Sequence, residues 1–147
     1  MKFIPCFASI LFFNLCVSFA WGQLPSARID RLFPPSGQQG QALEVTVIGK
    51  DLENVKWLKF SHDSIKAEPK KDEDGAIIPH VFILKIAGNA PLGMHRGRIG
   101  GGKFGASNYR SFVVDDLPQV EVGPGGTSRD KAFELELGKT ALGKSTA

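Results

Sequence analysis

Cysteine is nearly absent: Cys6 and Cys16 are the only two in 147 residues, and both fall in an uncharged run near the N-terminus. A chain trimmed of that run has no disulfide, no thiolate nucleophile and no cysteine metal site, so an ordinary hydrophobic core must hold it together. Histidine is scarce too. His62, His80 and His95 sit in three separate segments with no i, i+2 or i, i+4 pairing, which leaves zinc without sequence support. There is no Gly-x-Ser-x-Gly elbow, and the remaining Ser and Thr follow no nucleophile pattern. An excess of one charge is also missing, since 18 Lys and Arg face 15 Asp and Glu for a net +3. Loss of Lys2 lowers this to +2, because all 15 acids and 17 of the 18 bases remain. That small surplus on a mixed surface is not the basic stripe that nucleic acid demands. Finally, no window of about ten or more residues carries an amphipathic helical period, which excludes helical bundles and doubly wound α/β folds.

What is present begins with Lys2, followed by the uncharged "FIPCFASILFFNLCVSFAWG". A short positive region, an apolar stretch and closing small residues read as a secretory signal peptide over residues 1–20. A cut after Ala20 puts Ser18 and Ala20 where signal peptidase requires small side chains; a cut after Gly22 is the alternative. About 20 apolar residues also suffice to span a bilayer as an uncleaved anchor, but Pro5, Asn14 and the small residues near position 20 count against it. Leu15 counts against lipidation of Cys16, which wants a small residue before it. The expectation is a secreted or periplasmic protein with no stable membrane span after cleavage.

From residue 27 to 114 short apolar-periodic runs alternate with Gly, Pro, Asn and Asp clusters, the rhythm of an all-β sandwich of about seven strands. In "ARIDRLF", Ile29, Arg31 and Phe33 share one side. "ALEVTVIG" is the clearest strand, with Leu43, Val45 and Val47 on one face. "VKWLKF" carries apolar residues on both faces. "SIKAEP" ends at Pro69 and suits a sheet edge. In "HVFILKIA", Phe82, Leu84 and Ile86 share a face, and "GMHRGRIG" and "YRSFVV" complete the set. Residues 115–130, acidic and then rich in Pro and Gly, read as a linker. Residues 131–147 read as one stray strand, Phe133, Leu135 and Leu137 alternating with Glu134 and Glu136, whose apolar face needs a partner.

The stretch "GRIGGGKFG" carries the spacings of two nucleotide motifs. A phosphate loop needs a hydroxyl after Lys103 and a helix behind it, but Phe104 stands there and a strand follows. A dinucleotide fingerprint needs a helix and an acid about 20 residues on, whereas Asp115 and Asp116 come too early. Gly100, Gly101 and Gly102 instead read as a tight turn, and no cofactor is expected. "KKDEDGAI" offers Asp72, Glu73 and Asp74 as calcium oxygens, but a calcium loop placed on Asp72 and Asp74 would run from Lys70 to Val81, neither an acid. An exposed hairpin ending at Gly75 is the expectation, with weak peripheral calcium binding at Asp72 and Asp74 as the alternative.

The surface group of interest is Arg96, Arg98 and Arg110 with Tyr109. Arg96 and Arg98 project from one face of one strand, and Arg110 follows on the next, so the three are candidates to converge on a carboxylate or sulfate, although a solvated outer sheet face is the favoured reading. His95 shares the opposite face with Ile99 and reads as a partly buried structural residue. Trp57 and Tyr109 are candidate sugar-stacking platforms, although the third strand of immunoglobulin-like sandwiches places a Trp in the core.

The order "IDRLFPPSGQQGQALEVTVIGKDL", "NAPLGMHRGRI", "GASNYRSFVV" resembles the IPT/TIG family of immunoglobulin-like domains, with its Pro-x-x-Gly turn, alternating second strand, late Pro-x-Gly turn and closing Ser-Asn. The tail resembles the opening strand of bacterial pre-peptidase C-terminal domains, although "GPGGTSRD" lacks their acidic Pro-Asn-Asn run. These resemblances imply a secreted bacterial protein of planctomycete type. The implied role is a non-catalytic interaction or spacer module that recognises a protein or glycan at the cell surface through sheet faces and end loops. A carbohydrate-binding module is the nearest rival within that class. From another class, the chain reads as an accessory-domain fragment of a secreted peptidase or other hydrolase. A third reading is a dimer formed by adding the tail strand to a neighbour's sheet edge.

Overall fold

A computed structural model describes residues 25–123 and 132–143. The proposed signal peptide with both cysteines, residues 124–130 of the proposed linker and the last four residues lie outside the described residues.

The expected all-β sandwich is observed, with no helix among the described residues. Ten strands form among the described residues: β1 Arg28–Phe33, β2 Ser36–Gln38, β3 Ala42–Lys50, β4 Trp57–Phe60, β5 Ile65–Lys71, β6 Ile77–Ile86, β7 Gly93–Gly100, β8 Arg110–Asp115, β9 Gln119–Val122 and β10 Thr140–Gly143. A first sheet runs β1-β3-β6-β5 and a second β2-β8-β7-β4, with β9 and β10 as a separate pair. That partition, with the chain switching sheets between β1 and β2, is the strand arrangement of an immunoglobulin-like sandwich. Pro69 lies in β5, on the edge of the first sheet, where its missing donor costs no ladder bond.

Alternation decides the core. Val45 and Val47 of β3 and Phe82, Leu84 and Ile86 of β6 point inward from the first sheet; Leu58, Ile99, Phe112 and Val114 meet them from the second. The β1 expectation fails in a definite way: a bulge between Ile29 and Arg31 shifts the register, so Leu32 joins Ile29 in the core and Arg31 faces water. Across the open end between the sheets, Asn108 clips the backbone of Ile29 from both sides, its Oδ1 accepting Ile29 N–H at 2.7 Å and its Nδ2 donating to Ile29 C=O at 3.0 Å. Buried Ser107 accepts the Ile99 amide at 3.2 Å and donates to the Asn108 carbonyl at 2.7 Å.

The tail expectation is corrected. Residues 132–136 form no strand, and Phe133, Leu135 and Leu137 are exposed. Thr140–Gly143 instead pairs in parallel with Gln119–Val122, inside the stretch read as a linker. Alternation alone makes no strand without a partner edge, and β9 offers its edge to β10. Thr140 Oγ1 donates to Asp115 Oδ2 at 3.3 Å, and Gln119 Nε2 donates to Ser36 Oγ at 3.1 Å, tying the pair to the sandwich.

Candidate functional site

The hairpin register of the second sheet fixes which side chains leave the molecule together. Lys59 pairs with Arg98, and Trp57 with Gly100. In the neighbouring ladder Arg96 pairs with Ser111, and Gly97 with Arg110. Trp57, Lys59, Met94, Arg96, Arg98 and Tyr109 therefore share the outer face and line a shallow open groove of about 530 Å³.

Trp57 belongs to this face and not to the core, because Leu58 is the residue of β4 that meets the interior. The run of glycines explains its pose. Any Cβ at Gly100 would overlap the six-membered ring of the indole, and one at Gly101 would lie 3.0 Å from Cδ1. The indole thus rests against the bare backbone of Gly100 and Gly101. Gly101 also has φ of 80°, which L side chains resist, and a Cβ at Gly102 would clash with the Glu53 carbonyl. The expected turn over Gly100, Gly101 and Gly102 is displaced along the chain: Gly100 ends β7, and the turn itself is closed by the Gly102–Gly105 bridge.

Around the indole the face is cationic. Lys59 Nζ stands 5.5 Å from the Trp57 ring centre, and the Arg98 guanidinium 5.2 Å from that of Tyr109, both within cation–π range. Arg98 Nε donates to the Ser107 carbonyl at 2.7 Å, which fixes the side chain and leaves its terminal nitrogens facing outward beside the Tyr109 hydroxyl. Among the described residues no carboxylate pairs with Lys59, Arg96 or Arg98; the ion pairs lie elsewhere, as in Lys85–Glu68 at 3.1 Å. Like charges directly opposed across strands destabilise a sheet. Met94 is 70% exposed and Tyr109 53%, so the face also offers apolar contact.

The candidate three-arginine cluster does not form. Arg110 pairs with Gly97, on the inward-facing side of β8 with Phe112, and its Nε donates to the Asp30 carbonyl at 2.9 Å. It closes the end of the sandwich. Arg96, Arg98 and Tyr109 remain together, joined by Lys59 and Trp57.

The other candidates are structural in their contacts. Asp72 Oδ1 accepts the amides of Asp74 at 3.1 Å and Ala76 at 2.8 Å, and so caps the hairpin turn. His95 is buried, as expected, and its Nε2 bonds the Pro91 carbonyl at 2.7 Å. His62 Nδ1 lies 2.7 Å from Ser64 Oγ, within a tight turn in which the Ser64 amide contacts the same nitrogen. No carboxylate orients that imidazole among the described residues. Among those residues no group of three or more His, Cys, Asp or Glu side chains is placed to hold a metal ion.

In comparisons with known proteins, no protein-family model matches the chain, and no curated protein matches it.

Proposed function

We propose that this chain is a non-catalytic, exported interaction module of IPT/TIG type that recognises its partner through the outer face of the β2-β8-β7-β4 sheet. The observation that carries the reading is Trp57 seated against Gly100 and Gly101 amid Lys59, Arg96 and Arg98, none of which pairs with a carboxylate among the described residues. A sheet that tolerates opposed like charges and an exposed Met94 pays for them in stability, which an interaction offsets when a partner covers the face. The rigid sandwich holds these groups in place with no loop to order on binding.

The test is face-directed. Cell-envelope material is passed over the immobilised protein, over Met94→Glu and Arg96→Glu on the outer face, and over Lys66→Glu and Lys85→Glu on the opposite sheet. Retention that survives the Lys66 and Lys85 changes but is lost with those at Met94 and Arg96 is the expected result. Equal retention by all variants overturns the reading. Export itself is checked by the mass of the protein recovered outside the cytoplasm, which should begin at Trp21 or Gln23.

A further inference from the structure

We infer that the outer face binds an acidic glycan, a chain of sugars bearing carboxylate or sulfate groups. This rests on the reading of that face as the interaction surface. The argument is one of shape and charge complementarity. A sugar ring presents a flat C–H face that stacks on an aromatic plane, and the indole of Trp57 is such a plane, seated against Gly100 and Gly101, which carry no side chain there. Tyr109, 53% exposed, supplies a second ring. Between the two rings stands the cross-strand pair Lys59–Arg98, with Arg96 two residues along the same strand. Neighbouring strands lie about 4.8 Å apart and alternate residues of one strand about 6.7 Å apart. The cations are thus spaced to meet acidic groups on successive sugars while the aromatic rings flank them.

Arg98 is organised before binding. Its Nε is held by the Ser107 carbonyl, its Nη1 reaches the Tyr109 hydroxyl at 3.5 Å and its guanidinium lies over that ring, so the cation is fixed on the outer face where a carboxylate or sulfate can meet it. A neutral sugar would leave the three cations uncompensated. A single-stranded nucleic acid would stack on the same rings, but it carries a phosphate at every nucleotide and needs a groove of positive charge along its path. Here the cations end after one short row, and the far end of β8 closes on Asp115 and Asp116.

The experiment is calorimetric titration of the purified protein with four probes: oligogalacturonate, a heparin-derived oligosaccharide, a neutral cello-oligosaccharide of equal length, and a single-stranded oligonucleotide. One or both acidic oligosaccharides should bind, and the affinity should fall several-fold between 50 and 200 mM NaCl as counterions compete. Trp57→Ala should weaken binding about tenfold and Arg96→Ala several-fold. Arg96 and Tyr109 are exposed, so Arg96→Ala and Tyr109→Ala, each expected to weaken binding several-fold, keep the test valid if Trp57→Ala misfolds. Equal binding of the neutral oligosaccharide, or tighter binding of the oligonucleotide, overturns the inference. So does a failure of all acidic glycans while face-dependent retention of envelope material persists, which rejects the ligand class and spares the surface. Loss of face dependence in that retention rejects the surface itself.

Discussion

Trp57 and Gly100 are cross-strand partners in which one residue exists to make room for the other. The indole occupies the space a side chain at position 100 would fill. Gly100→Ala should therefore lift the ring off the sheet and cost about 1–3 kcal/mol. Urea denaturation reads the cost, and the emission of Trp57 should shift to the red. An unchanged midpoint and spectrum would show that the indole is not seated there.

Asn108 predicts a larger effect from a smaller side chain. Asn108→Ala leaves both backbone groups of fully buried Ile29 without their partner, a loss of about 2–4 kcal/mol. Asn108→Asp keeps the acceptor and loses the donor, so it should fall between wild type and Ala in chemical denaturation.

Arg96 and Arg110 should separate cleanly. Arg110→Ala removes the bond to the Asp30 carbonyl and should lower stability by about 1 kcal/mol while leaving glycan affinity unchanged. Arg96→Ala should do the reverse. Parallel melting and titration curves check both, and a matching loss of affinity in the two variants would restore the three-arginine cluster that the register rejects.

The β9–β10 pair should be the least protected part of the described structure. Two parallel strands with few ties to a core are marginal alone. In hydrogen exchange the Thr140 amide, bonded to the Pro118 carbonyl at 2.9 Å, should exchange far sooner than those of β3 and β6. Removing residues 132–147 should expose the β9 amides and shift the sandwich Tm by only a few degrees. A collapse of the whole sandwich on truncation would show instead that the pair is integral to the core.

Much of the fold is written locally. Leu43, Val45 and Val47 alternate with polar residues, and Phe82, Leu84 and Ile86 do so among β-branched neighbours, so strand and inward face follow from period alone. The site is less legible, because it depends on register. The sequence "VKWLKF" offers apolar residues to both sides, and only the pairing of Leu58 with buried Ile99 turns Trp57 outward. Arg110 resembles Arg96 and Arg98 in type, but the Gly102–Gly105 bridge and the irregular 106–109 stretch set it opposite Gly97. At the tail, Phe133 to Leu137 has the stronger period and no partner, while "QVEV", whose Val120 and Val122 do alternate, finds "TALG". Partner availability is a tertiary fact that neither segment carries by itself.

The short strand β2 lies parallel to β8, Ser36 beside Val113 and Gln38 beside Asp115, although one comes early in the chain and the other late. Tension applied between the two ends of the domain would draw these strands past each other lengthwise, loading their hydrogen bonds together instead of peeling them one at a time. A domain pulled through its two chain ends would meet mechanical stress with the β2–β8 ladder in shear.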